Sequence, residues 1–178
     1  MSRPAVLFAI FALLSGLLLL APRAAAEPYC GIYWGSMDKS DSGWGYAELT
    51  DIRSGRHECF DRLVLDLNHS PAGYTVRYVD QVTADGSGQP VPLRGGAFLS
   101  ILVHAPAYDS EFRPTYSLPA DRTCLVDVRG YRTFRQVAWA GSSEGQTTIG
   151  LGVRARLPFR VFTLESPGRV VIDVAHRW

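Results

Sequence analysis

From Asp61 onward the apolar residues of this chain recur at every second position, not at every third or fourth. In D-R-L-V-L-D-L, Asp61 to Leu67, the side chains of Leu63, Leu65 and Leu67 fall on one side and those of Arg62, Val64 and Asp66 on the other. A period of two fits a half-buried strand and cannot line one face of a helix. Further runs follow: G-Y-T-V-R-Y-V from Gly73, F-L-S-I-L-V from Phe98, T-T-I-G-L-G-V from Thr147, F-R-V-F-T-L from Phe159 and R-V-V-I-D-V from Arg169. Gly, Pro, Asp and Ser separate them, as in S-P-A-G, A-D-G-S-G-Q-P and E-S-P-G, which is turn chemistry. The chain therefore reads as all-β, a single antiparallel β-sandwich or barrel-like domain.

What precedes the strands differs. Arg3, the apolar run Ala5 to Ala21 and Ala24-Ala25-Ala26 have the layout of a secretory signal peptide over residues 1–26, cleaved before Glu27. The apolar run falls short of the roughly 20 residues that span a bilayer, and Pro22 closes it, so no membrane span is expected after cleavage. Residues 27–47 are rich in Tyr, Trp, Gly and Ser without alternation and read as an arm lying on a β domain of residues 48–178. The whole chain carries 18 Lys+Arg against 17 Asp+Glu, and losing Arg3 and Arg23 reverses that to a single net negative charge. This balance gives no sign of a nucleic-acid or anionic-membrane partner. Lys39 is the only lysine, which is read as compositional bias and not as an arginine-specific surface.

The three cysteines allow at most one bridge within the chain. Cys30 lies in the arm and Cys59 beside the first strong strand, whereas Cys124 in T-C-L-V-D-V reads as a buried strand residue. Cys30 to Cys59 is the expected pair, worth about 3–4 kcal/mol in the chain-entropy model. His57-Glu58-Cys59 is the one cluster resembling metal ligands, and no second Cys/His pair completes a tetrahedral set. Neither a metal nor a cofactor is expected.

Three motif matches fail on context. Gly141-Ser142-Ser143-Glu144-Gly145 matches the nucleophile elbow G-x-S-x-G, but an elbow needs a helix after the serine and Thr147 to Val153 is a strand pattern. Gly150 to Ala155 imitates a dinucleotide fingerprint with another strand, not a helix, behind it. Asp38 to Gly43 imitates the start of a calcium loop, with Leu49 where a glutamate is required.

If Ala140 to Gln146 connects two strands and Trp139 pairs with Thr148, then Val137 faces Gly150 and Arg135 faces Gly152. Ile149, Leu151 and Val153 then share the other side with Phe134, Gln136 and Ala138. An aromatic strip over a glycine floor results, either a stabilising cross-strand device or a platform for sugar rings. Tyr131, Arg135, Trp139 and Thr148, with Glu144 at the edge, are its binding candidates.

One pattern occurs twice: Asp61-Arg62-Leu63-Val64-Leu65-Asp66-Leu67 is echoed by Gly168-Arg169-Val170-Val171-Ile172-Asp173-Val174. Its Arg and Asp residues either pair across strands, for about 0.2–1 kcal/mol each, or form related surfaces that bind a repeated polymer. With G-Y-R-T-F-R-Q-V-A-W-A-G-S-S-E-G-Q-T-T-I-G-L-G-V-R-A-R-L-P-F-R-V-F, Gly130 to Phe162, and R-V-V-I-D-V-A-H-R-W, these segments resemble the AMIN-like domain of exported actinobacterial proteins. That family is similar in turn to the AMIN domain, a β-sandwich with related halves that targets cell-wall amidases and pilus secretins to peptidoglycan. The resemblance implies a secreted or envelope-associated, non-enzymatic module that binds cell-wall glycan or an envelope protein. Two other readings stay open. One is a small secreted hydrolase using Ser143 or a carboxylate such as Glu144 or Asp66, which would need two carboxylates of separated pKa in one cleft. The other is a structural partner of a membrane assembly, marked by a large exposed apolar patch.

Overall fold

A computed structural model describes residues 28–43, 45–70 and 73–178. The expected signal peptide lies outside the described residues. Nine strands follow in chain order: β1 Lys39–Asp41, β2 Leu49–Arg56, β3 Phe60–Leu67, β4 Tyr74–Val79, β5 Ala97–Val103, β6 Phe134–Ser143, β7 Gln146–Val153, β8 Phe159–Glu165 and β9 Gly168–Ala175. They form two antiparallel sheets, one in the order β1-β4-β5-β7-β6 and one in the order β2-β3-β9-β8. Neither closes on itself, so the fold is a sandwich and not a barrel. Among the described residues no helix is long and apolar enough to cross a membrane.

The alternation places the core between the sheets. Leu63, Leu65 and Leu67 of β3 meet Val76, Leu99, Ile101, Ile149 and Leu151 from the opposite sheet, all but fully buried. Each such side chain contributes about 1.5–3 kcal/mol of hydrophobic stabilisation. The echoed strands β3 and β9 are direct neighbours at the centre of their sheet, with Arg62 opposite Asp173 and Asp66 opposite Arg169. Asp173 is wholly buried and accepts two hydrogen bonds from Arg62, at 2.7 and 2.9 Å, and one from Arg160 Nε at 2.8 Å. Those guanidiniums also lie over Phe60 and Phe162. The motif is thus a cross-strand lock on the outer face of the four-stranded sheet, its hydrogen bonds directed to its own carboxylate.

The arm is more ordered than its lack of alternation implies. Cys30 is bridged to Cys59 at a sequence separation of 29, Gly35 pairs with Phe159 on β8, and β1 then adds to the edge of the other sheet beside β4. One segment so clips the same side of both sheets. On the opposite side the long connection from β5 to β6 crosses from sheet to sheet, where Leu49 N–H donates to the Pro106 carbonyl and Tyr131 Oη meets Ser54 Oγ at 2.9 Å.

Two expectations need correction. Thr123 to Val128 is not a strand, and Cys124 is exposed, not buried. Asp121 Oδ1 accepts both the backbone N–H and the hydroxyl of Thr123, which holds a turn there. The segment meets β6 through two backbone bonds, Leu125 N–H to Val137 O and Trp139 N–H to Arg122 O, and through Gln136 Nε2, which donates to the Thr123 carbonyl at 2.9 Å. Its buried apolar residues are Leu125 and Val128, which lie three apart.

The second correction is the hairpin register. Trp139 pairs with Ile149, not Thr148, because irregularities between Phe134 and Gln136 and between Trp139 and Gly141 each place an extra residue in β6. Val137 therefore faces Leu151, while Gln136 and Ala138 face Gly152 and Gly150. A one-residue offset exchanges the faces, so Trp139 and Val137 look toward the core. The glycine floor exists, but the 80–96 connection covers it, with Leu93 and Val82 over Gly150. Gln136 Oε1 accepts the Arg94 N–H at 2.8 Å and fastens that cover. A side chain at Gly152 would collide with the Arg94 carbonyl, so Gly152→Ala is expected to cost about 1–3 kcal/mol, read by a thermal melt.

Candidate functional site

The turn that resembles an elbow is the tip of a two-residue hairpin. Ser143 pairs with Gln146, and Glu144 and Gly145 between them have φ of 50° and 78°, the backbone of a type I′ turn. A strand follows it, so no helix N-terminus supports Ser143. Ser142 does the structural work instead: its Oγ accepts the Ala107 N–H at 2.9 Å and lies 3.0 Å from Thr147 Oγ1. These contacts tie the β6–β7 tip to the connection that follows β5.

Two grooves flank this tip. The first, of about 540 Å³, is lined by Tyr108, Phe112, Tyr116, Trp139, Ser143 and Glu144, a volume usual for small-ligand sites. Its walls are two stacked pairs: Tyr116 on Trp139, centroids 5.9 Å apart, and Tyr108 on Phe112 at 5.6 Å. The second groove lies on the other side of the tip, lined by Tyr46, His104, Glu144 and Gln146. Tyr46 is 98% exposed and Phe112 80%, an arrangement that water opposes unless something covers the rings.

Phe112 is displayed by construction. It occupies φ of 61°, a conformation that costs a bulky residue on the order of 1–3 kcal/mol. Asp109 holds it there: its carboxylate accepts the N–H groups of Glu111 at 2.8 Å and Arg113 at 2.9 Å, while Arg113 Nε donates to the other oxygen at 2.7 Å. The Arg113 backbone bond first, then its side chain, hold the Asp109 carboxyl below the usual carboxylate range. The loop's anchor therefore stays ionised under mildly acidic conditions. Tyr108 Oη accepts the Gly145 N–H at 3.3 Å, which joins this loop to the hairpin tip. Burial, helped by Asp51, pushes the Tyr116 phenol up, so the groove floor is neutral.

The five residues nominated from sequence do not lie together. Trp139 and Glu144 line the first groove. Tyr131 and Arg135 line a different groove with Asp127 and Arg129, toward the other end of the strands. There Tyr131 stacks on Phe134 at 5.8 Å, and the Arg135 guanidinium donates to the carbonyls of Tyr131, Arg132 and Phe134. Thr148 is buried on the covered glycine face. Alternation could not have found Tyr46, Tyr108, Phe112 and Tyr116, which lie outside the strands. The density of aromatics in Y-D-S-E-F-R-P-T-Y, Tyr108 to Tyr116, was the available signal.

The carboxylates considered for hydrolysis do not share a groove. Asp66 lies on the outer face of the four-stranded sheet, bound by Arg53 with one bond of 2.9 Å, and it lines neither groove that Glu144 lines. His57 stacks on Phe60 and Cys59 is in its disulfide, which dissolves the suspected ligand cluster. No curated protein and no solved structure gives a significant match to the chain. The AMIN-like domain model matches residues 47–176, so it begins just before β2 and ends just past β9 and takes in every residue of both grooves except Gly43, Gly45 and Tyr46. With strands β2 to β9, most of the groove lining and all but two residues of the sequence beyond position 46 inside that match, the chain belongs to the AMIN-like domain family.

Proposed function

We propose that this protein is an exported, non-enzymatic binding domain whose aromatic end takes saccharide rings of a cell-envelope polymer, peptidoglycan being the polymer to which the family resemblance points. Family membership supports an envelope-related, non-catalytic role, and a disulfide suits a compartment outside the reducing cytosol. The observation that carries the reading is Phe112, exposed and held in a disfavoured backbone conformation at the mouth of a groove floored by Tyr116 and Trp139. Sugar rings present apolar C–H faces to aromatic planes and hydroxyls to rim groups such as Glu144 and Ser143. Stacked aromatic contacts of this kind are worth about 1 kcal/mol.

The test is co-sedimentation of the exported protein with insoluble cell wall. Phe112→Ala is expected to weaken retention roughly fivefold, from about 1 kcal/mol of lost stacking, with an unchanged melting temperature. Trp139→Ala is the poorer probe, because this half-buried ring packs on the core and its loss should also cost about 3 kcal/mol of stability. Full wall retention by a Phe112→Ala, Tyr46→Ala double variant would refute the site. Release of a muropeptide or ester product that Ser143→Ala abolishes would refute the non-enzymatic reading.

A further inference from the structure

The near-neutral net charge hides a separation of charge along the sandwich. β2, β4, β7 and β9 finish, and β3, β5, β6 and β8 start, at the end opposite the aromatic grooves. Arg56, Arg132, Arg154, Arg156 and Arg177 are all exposed there. One hub joins Arg132 and Arg154. The Glu58 carbonyl accepts from Arg132 at 3.3 Å and lies 3.1 Å from His176 Nδ1, and the His176 carbonyl accepts from Arg154 at 2.7 Å. Trp178 Nε1 donates to the Arg156 carbonyl at 3.3 Å. Arg156 and Arg177 lie over the rings of Tyr78 and Tyr29 at 4.8 and 4.6 Å. Among the described residues none of these five arginines forms an ion pair with a carboxylate. Glu58, Asp80 and the Arg129-paired Asp127 are the nearby countercharges, whereas the grooved end carries Glu48, Asp109, Glu111, Glu144 and Glu165 against Arg113, which pairs with Asp109 and Glu111, and Arg169.

We infer that this basic end docks on a bilayer surface carrying anionic lipid headgroups. Carbonyls and aromatic rings orient the guanidiniums without neutralising them, so their charge is free for an anionic surface. The chain also enters the described fold here, with Tyr29 under Arg177 and Cys30 bridged to Cys59. Trp178, 71% exposed, and Tyr33, 78% exposed, are residue types that favour the headgroup region. With this end on lipid, the aromatic grooves point away from the membrane, where a wall polymer lies. The inference does not rest on the glycan reading, since no residue of either groove takes part.

The experiment is flotation of the exported protein with vesicles of phosphatidylcholine alone and with vesicles of equal parts phosphatidylcholine and phosphatidylglycerol. Retention is expected on the anionic vesicles alone, falling as salt is raised. At about fivefold per surface cation, the Arg132→Gln, Arg156→Gln, Arg177→Gln variant should lose roughly a hundredfold in partition. Glu58→Gln keeps the backbone carbonyl of the hub and should tighten partition several-fold, a gain that no misfolded protein would give. Phe112→Ala should leave vesicle retention unchanged. Equal retention on the two vesicle types, salt-insensitive retention, or a preference for duplex DNA over anionic vesicles at equal phosphate would overturn the inference.

Discussion

Replacing Asp61 by alanine should lower the stability of this fold by about 3–5 kcal/mol, the largest loss expected from any single side chain described above. Asp61 is 1% exposed. Its Oδ2 accepts the backbone N–H of Thr133 at 2.5 Å and of Phe134 at 3.1 Å, and its Oδ1 lies 3.1 Å from His176 Nε2. One carboxylate so fastens the start of β3, the entry to β6 and the end of β9. Alanine would leave two N–H groups and a ring nitrogen without partners in a buried setting. Asparagine should cost less: its oxygen can serve both N–H groups, and its amide can donate to Nε2 while Nδ1–H donates to the Glu58 carbonyl. In a domain of this size the alanine variant should melt ~10 °C or more below the parent, with asparagine between them. Equal melting of parent and Asp61→Ala would show that the network is not a stability determinant.

Opening the Cys30–Cys59 bridge is expected to have the next largest effect, about 3–4 kcal/mol from released loop entropy. Cys59 immediately precedes β3, and the arm it secures supplies both the Gly35 bridge to β8 and strand β1. Loss of the bond should therefore expose the outer edges of both sheets together. Urea unfolding of the Cys30→Ser, Cys59→Ser variant should show the shift, and hydrogen exchange should show lost protection in β1 first. A reductant should reproduce the shift in the parent, because Cys124 is free and unlinked. Non-reducing peptide maps that join Cys124 to either partner would contradict the pairing.

These two predictions rest on sequence to very different degrees. The cysteine pair follows from position and compartment alone, because a bridge from the arm to the first strong strand is local topology. The Asp61 network could not be read that way. Asp61 begins a strand whose Arg62 and Asp66 face outward, and nothing in its neighbourhood announces Thr133 or His176 as partners. Those residues are 72 and 115 positions away, so chain closure over long distances decides the contact.

The same division runs through the rest of the molecule. Alternation by itself determined strands β3, β4, β5, β7, β8 and β9, the inward set Leu63, Leu65 and Leu67, and the all-β class, because a period of two can bury one face only as a strand, whereas β1 and β2 carry no such period. It also determined that Ser143 precedes a strand and so is no elbow. Only the tertiary structure decided which way Trp139 faces, since the two irregularities in β6 each shift the register by one residue and have no signature in composition. Only the structure gathered Tyr108, Phe112 and Tyr116 beside Trp139, because loop residues carry no period and are placed by the loop's own hydrogen bonds, here those of Asp109. Charge divides in the same way. The sequence determined a sum close to zero, and the alternating direction of the strands gathered five exposed arginines at one end and several exposed carboxylates at the other, because net charge has no position until the chain is folded.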